Sequence, residues 1–221
     1  MKNRIIVLVI IKIFITVQIV DAQSIIYLTP GAFFNGNGNV EFANAVGLSI
    51  GLEYMQFKEK RNVYSIELRT KYGYYGFDDG TKSGTDSDGN YVPPKNLNEA
   101  RLEYGLFSPQ IGIVPKFHHK LDESFTFFIE SELAVGIITG KIKYKGFDNK
   151  VNITKPFFCN NICVGIEFDT DDVILGCSFG YSTLNYHNNI KKSQPSGFKE
   201  TIPSQKTPIL FNFFVKIPLR N

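Results

Sequence analysis

Val173-Ile174-Leu175-Gly176-Cys177-Ser178-Phe179-Gly180-Tyr181-Ser182 decides the fold. Val173, Leu175, Cys177, Phe179 and Tyr181 fall on one parity, and Ile174, Gly176, Ser178, Gly180 and Ser182 on the other. A period of two is a strand with two different faces. The apolar face runs the whole length of the segment. Seven other segments read as strands of this kind, at about 25–34, 45–57, 62–76, 102–117, 124–145, 156–168 and 207–218, the first of them partly apolar on both faces. In several of them charged residues occupy the second face. That is the pattern of a strand with one face in lipid and the other in a polar interior. The expectation is an all-β, closed, antiparallel, up-and-down transmembrane barrel of about eight strands.

The connections support an up-and-down order. Lys58–Arg61, His118–Glu123 and Asp169–Asp172 read as short turns. Residues 35–44, 77–101, 146–155 and 186–206 are longer and rich in Gly, Asn, Asp and Pro. Short and long connections therefore alternate, as when short turns face the periplasm and long loops face outward. An even strand number closes the sheet and leaves no edge unpaired.

Face consistency gives the hairpin registers. Pairing Tyr54 with Ile66 sets Leu52 by Leu68 and Leu48 by Tyr72, and on the other face Glu53 by Glu67, Gly51 by Arg69 and Ser49 by Lys71. Pairing Pro115 with Phe127 sets Ile113 by Ile129, Gly112 by Glu130 and Gln110 by Glu132. Pairing Phe168 with Val173 sets Cys177 by Val164 and Cys163 by Ser178. Pro109 and Pro115 each remove a ladder hydrogen bond and mark where the fourth strand weakens.

The amino terminus, MKNRIIVLVIIKIFITVQIVDAQS, reads as a secretory signal over residues 1–22, with the barrel domain over 23–221. Lys2 and Arg4 form the basic start, two short apolar runs follow, and Val20-Asp21-Ala22 supplies small residues for cleavage before Gln23. Lys12 interrupts the apolar stretch, which argues against a spanning helix. Losing this segment lowers the formal charge from +3 to about +1. No clustered basic face points to nucleic acid. Aromatic residues make up 14% of the chain, all Phe and Tyr, which suits strands and interfacial girdles.

Beyond the architecture the chain resembles the small eight-stranded outer-membrane barrels, in particular the broad PorT-like or OmpX/OmpW-like group of Bacteroidetes. The residues that carry this are the signal end Asp21-Ala22-Gln23, the opening strand Ile25-Ile26-Tyr27-Leu28-Thr29-Pro30-Gly31-Ala32-Phe33-Phe34, and the aromatic final strand Leu210-Phe211-Asn212-Phe213-Phe214-Val215-Lys216-Ile217. The chain ends Pro218-Leu219-Arg220-Asn221, without the terminal aromatic of many such barrels. The resemblance implies a porin-like monomer in the outer membrane of a Gram-negative cell. Its partners would be outer-membrane lipid, lipopolysaccharide, the assembly machinery, and a surface or envelope protein.

The registers place Glu53, Glu67, Arg69, Lys71, Glu130, Glu132 and Glu167 on the inward face. The expectation is an interior ion-pair network that fills the lumen, because an unpaired buried charge is costly. Tyr91, Pro93, Pro94, Tyr186, Lys191 and Lys192 fall in the long outward loops and are the expected contact residues. The expected role is structural or surface interaction, as adhesion or as an accessory of envelope assembly. Two rivals are a narrow or lateral pathway for a small apolar solute near Pro109 and Pro115, and a soluble, secreted, lipocalin-like barrel with inverted faces.

No cofactor, metal site or catalytic centre is expected. Ser182 and His187 have chemistry compatible with a lipid-modifying enzyme but no motif spacing. The stretch Asp86-Ser87-Asp88-Gly89-Asn90 departs from a calcium loop, because Gly89 comes one step after Asp88. Cys159, Cys163 and Cys177 read as free thiols, since the first two are too far apart along one strand to bridge.

Overall fold

The computed structural model describes residues 24–37, 45–57, 61–78, 84–85, 91–92, 102–144, 150–170, 172–196 and 208–219. The signal segment and most of the long loops, with Pro93 and Pro94 and the side chains of Tyr91 and His187, lie outside the described residues.

Eight antiparallel strands close into a ring. Strand β1 is Ser24–Leu28 and Gly31–Asn37, one strand bent at Thr29–Pro30. Both of its halves bond to the same two neighbours, and Thr29 and Gly51 exchange backbone hydrogen bonds across the bend. The others are β2 (Ala45–Phe57), β3 (Asn62–Asp78), β4 (Leu102–Lys120), β5 (Phe125–Tyr144), β6 (Val151–Asp169), β7 (Ile174–Ser182) and β8 (Pro208–Leu219). Each pairs with its chain neighbour, and β8 returns to β1. A two-residue ladder, Gly84–Thr85 with Tyr91–Val92, lies in the connection after β3.

The β2–β3 register is the one read from the sequence, with Tyr54 opposite Ile66 and Glu53 opposite Glu67. Two hairpins differ. Ile113 faces Leu133 rather than Ile129, Gln110 faces Gly136, and Glu130 faces Lys116. The cause is the turn, which is confined to Leu121–Ser124 and held by Asp122 Oδ1 accepting from the Ser124 and Phe125 amides. His118 and His119 are therefore strand residues. In β6–β7, Ile166 faces Cys177 and Cys163 faces Gly180. This turn is Thr170–Val173, with Thr170 Oγ1 donating to the Val173 carbonyl. Both slips are even, so every side chain keeps its expected face. The β4–β5 ladder has gaps beside Pro109 and Pro115, but its register runs through both.

The faces are the reverse of a water-soluble barrel. Leu48, Ile50, Leu52, Leu68, Ile113, Leu133, Val164, Phe179 and Phe213 are exposed on the outside. Glu53, Glu67, Arg69, Lys71, Lys116, Glu130, Glu132 and Lys216 are buried inside. A lipocalin-like barrel needs the opposite arrangement and is excluded. Aromatic pairs flank this belt. Tyr64–Phe117 and Phe125–Phe168 lie toward the short turns, and Tyr74–Phe107 toward the long loops.

The belt does not run the length of the strands. On β5 the outward residues from Phe125 to Ile137 are apolar except Ser131, which donates to Asn160 Oδ1, and then become Thr139, Lys141 and Lys143. At about 3.3 Å per residue and a tilt near 45°, the apolar portion is roughly 28 Å tall, the height of the apolar band of such barrels (about 25 Å). Above it the inward face changes too. Ile138, Ile142 and Tyr144 of β5, Ile153 of β6, and Tyr104 and Leu106 of β4 are buried inside. On the outside of this upper section, Lys141, Asn152 and Thr154 are exposed.

A short helix, α1 (Tyr186–Lys192), closes the top. Asn185 caps it by accepting from the Asn188 amide, and Lys191 and Lys192 sit in its last turn, where cations suit the helix dipole. Leu184, Tyr186 and Ile190 are buried in the apolar cluster of the upper lumen.

Candidate functional site: a charged lumen under an apolar cap

Among the described residues, ten carboxylate, basic and imidazole side chains lie in the lower lumen. All seven residues of the expected network lie in it, joined by three that the sequence reading left out: Lys116, His118 and Lys216. Arg69 sits at the centre. Its Nη2 lies 2.7 Å from Glu67 Oε2 and 2.9 Å from Glu130 Oε2, and its Nε donates to Glu67 Oε1. Lys116 Nζ bridges Glu67 at 2.8 Å and Glu53 at 3.0 Å. Lys216 Nζ bridges Glu53 at 3.0 Å and Glu167 at 2.6 Å. Lys71 pairs with Glu132, whose same oxygen also accepts from Asn161. Ser178 and Thr29 donate to Glu130 and Glu67.

Two phenylalanines complete the packing. The ammonium of Lys116 lies 5.7 Å from the ring centre of Phe128 and 5.0 Å from that of Phe214. Gly165 stands opposite Phe128, and Gly176 opposite Phe214. A Cβ at either glycine would collide with the ring, so these positions are kept bare to admit it.

The missing cations had a signal in the sequence. The seven expected residues carry five carboxylates against two cations, an imbalance that a buried network does not tolerate. Lys116 has the parity of Gln110 and Gly112, and Lys216 that of Asn212, so both were available on the inward face.

One constellation has the form of a nucleophile with a base. Ser65 Oγ lies 2.8 Å from His118 Nε2, and His118 Nδ1 lies 3.4 Å from Glu167. Ser65 gives its hydroxyl proton to Glu53, so the imidazole Nε2–H is the donor to Ser65 Oγ rather than a base for it. Ser65 and His118 are also shut inside the barrel wall. The group is part of the ion-pair network. Ser182 is buried and accepts from the Leu184 amide, a local turn contact at the approach to α1.

The expected outward contacts divide. Lys191 and Lys192 are exposed on α1. Tyr186 turns inward instead and is 1% exposed. Its ring stacks on Tyr75 at 4.5 Å and 16°, and its hydroxyl lies 2.7 Å from Ser108 Oγ. Burial pushes the Tyr186 hydroxyl above the usual phenol range, an effect the Ser108 contact partly offsets. An aromatic in a loop is read as a contact residue by default. The i, i+4 spacing of Tyr186 and Ile190 behind an Asn cap was the available sign of a buried helix face.

The three cysteines are free, two buried and Cys177 half-buried on the outer wall. Among the described residues, no group of three or more His, Cys, Asp or Glu side chains is arranged to hold a metal ion. An outer groove of about 830 Å³ crosses β2 to β5 beside Pro109, lined by Leu48, Ile50, Tyr72, Ile111, Val135 and Ile137. Lys71 and Gln110 occupy the lumen behind it.

No family model matches this chain, and no curated protein matches its sequence. Solved structures of similar fold include Ail, the attachment invasion locus protein of Yersinia pestis. Ail is 11% identical, the match covers 90% of this chain and 98% of Ail, and the TM-score is 0.43. Neisserial surface protein A is 9% identical over 90% of this chain and 100% of its own, with a TM-score of 0.43. The N-terminal β-barrel domain of Pseudomonas aeruginosa OprF is 14% identical over 90% and 100%, with a TM-score of 0.41. Identities this low carry no information about shared partners or activity.

Proposed function

We propose that this chain is an integral outer-membrane barrel of a Gram-negative cell, inserted after cleavage of its signal. In this reading it is a monomer that conducts nothing and works through its outward end. The observation that carries the reading is the apolar belt, about the height of a bilayer core, around a lumen filled with charge. Every ionised group in the lower lumen has an opposite partner within salt-bridge distance. Such a lumen anchors and rigidifies the barrel and leaves no water column. The outward end carries the long loops and the exposed Lys191 and Lys192. Its role is interaction with a surface or envelope protein, with lipid and lipopolysaccharide around the wall, and with no catalysis, cofactor or nucleic acid. The wall groove beside Pro109 lies at a gap in the β4–β5 ladder, but Lys71 and Gln110 fill the lumen behind it, so a lateral solute path is the weaker reading.

Two measurements test this. Purified protein run in SDS with and without boiling should shift from compact to unfolded mobility and be absent from the soluble fraction. Vesicles containing it should show no solute influx above empty vesicles. A soluble protein without a heat shift would overturn the membrane reading, and solute influx would overturn the sealed lumen. Replacing Tyr91, Pro93, Pro94, Lys191 and Lys192 together should leave assembly intact and abolish surface binding.

A further inference from the structure

The upper lumen is built as a pocket, and the chain fills it with one of its own side chains. Above Ile137 the barrel is apolar inside and polar outside, as in a soluble ligand-binding barrel. Its floor is Gln110, whose Oε1 accepts from Cys159 Sγ. Below that floor, Glu132 Oε1 and Asn161 Oδ1 are buried acceptors with no hydrogen-bond partner, although the two side chains touch through Asn161 Nδ2 at 2.8 Å. Buried acceptors without donors mark a place where a donor-bearing molecule, water included, belongs.

The occupant seen is α1, and the side chain that goes deepest into polar contact is Tyr186. It takes a flat aromatic seat on Tyr75, which stacks in turn on Tyr104 at 5.2 Å, and a hydroxyl contact at Ser108. Leu184 and Ile190 are seated in the apolar cluster, and two polar contacts reach the segment from the wall. Tyr144 OH donates to the Ile190 carbonyl, and Lys155 Nζ donates to Ser193 Oγ. Asn188, Lys191 and Lys192 face outward. A seven-residue helix has little stability of its own and stays only while its apolar face is seated.

We propose that the upper lumen is a binding cup for a small planar aromatic molecule bearing a hydroxyl, and that α1 is a self-inserted plug that such a molecule displaces. The cup is blind. Displacing α1 exposes Tyr75, Tyr104, Leu106 and Ile138 down to Gln110, while Arg69 and its partners still close the lower lumen. That the cup opens to the cell exterior rests on the membrane reading. Its occupancy does not, so failure of one leaves the other testable.

The test uses the full barrel in lipid nanodiscs and hydrogen exchange of the amides of residues 184–193. The probe is p-cresol, which has the chemistry of the Tyr186 side chain, with toluene as the hydroxyl-free control. Exchange in α1 should rise saturably with p-cresol, by about tenfold at ten times the dissociation constant, while the lower strands stay unchanged. Toluene should be much weaker, and Ser108→Ala should remove the preference for p-cresol. No change in α1 exchange across the soluble range would overturn the proposal and make α1 a fixed cap. Equal action of toluene and p-cresol, undisturbed by Ser108→Ala, would overturn it as a bilayer effect.

Discussion

Glu130 and Glu132 share one face of β5 with Ile138, Ile142 and Tyr144, yet the two groups live under opposite rules. The lower group is buried charge behind a wall whose outer face is apolar. The upper group is buried hydrocarbon behind a wall whose outside carries Lys141 and Asn152. The ladder to β6 runs unbroken past both groups. In the membrane reading proposed above, what changes is the solvent outside. A wall in lipid excludes polar groups from its outer face, so the narrow interior takes them and must balance them. A wall in water drives its apolar side chains inward and rebuilds an ordinary core. The change from Ile137 to Thr139 on the outside, and from Glu132 to Ile138 on the inside, marks the same boundary twice.

The lower lumen is the place to break this comparison first. Glu53 is fully buried and meets Lys116, Lys216, Ser65 and His118. Glu53→Ala should cost about 3–5 kcal/mol, because it takes one of two carboxylate partners from each of two buried ammonium groups and leaves the interior charge unbalanced. Urea titration of the barrel in vesicles, scored by the heat-modifiable band, measures it. A loss under about 1 kcal/mol would mean that water reaches the lumen, and the sealed reading would fail.

The boundary itself is sharpened by an arginine scan on the outside of β5. Leu133→Arg should cost about 2–4 kcal/mol, and Thr139→Arg about 0–1 kcal/mol. The same titration, run on both variants in one lipid, places the hydrocarbon edge between them. Equal costs would mean that the belt does not end where the sequence turns polar.

Much of this was legible in the chain, for a reason that also limits it. Alternation fixes which face a residue takes, and the inward seven residues from Glu53 to Glu167 are where parity puts them. Parity says nothing about even shifts, so β4–β5 slipped by four residues and β6–β7 by two. Only the turn chemistry at Asp122 and Thr170 fixes those registers. The β2–β3 register was readable because the short charged turn at 58–61 left little room for another pairing. The polarity reversal was also written in parity, since Ile138, Ile142 and Tyr144 match Glu130 and Glu132. Reading residues 124–145 as one uniform strand hid it. The helix α1 shows its period in one pair alone, Tyr186 and Ile190, and its fixing contacts with Ser108 and Tyr75 are far away in sequence.

In the upper lumen the counterpart of Glu53 is Ile142, fully buried in the apolar cluster. Ile142→Ala should cost about 2–3 kcal/mol by cavity formation. Unlike the loss at Glu53, it should not depend on salt, because no charge is uncovered. Parallel urea titrations at low and high ionic strength compare the two.

The smallest effect is the most local. Tyr186→Phe keeps the ring on Tyr75 and removes only the hydroxyl that meets Ser108. Ser108 is itself fully buried, so the change leaves its hydroxyl without that partner, at a cost of about 1 kcal/mol. Global unfolding is a poor detector of it, because the lower strands hold the barrel together whether or not α1 is seated. Hydrogen exchange of the α1 amides is the right one, and a 1 kcal/mol loss should speed it roughly fivefold. If exchange in α1 and in the upper half of β5 rises together, cap and wall open as one unit. If α1 alone responds, the helix leaves its seat while the barrel beneath stays closed, which is the separation of the two halves that the reversed polarity implies.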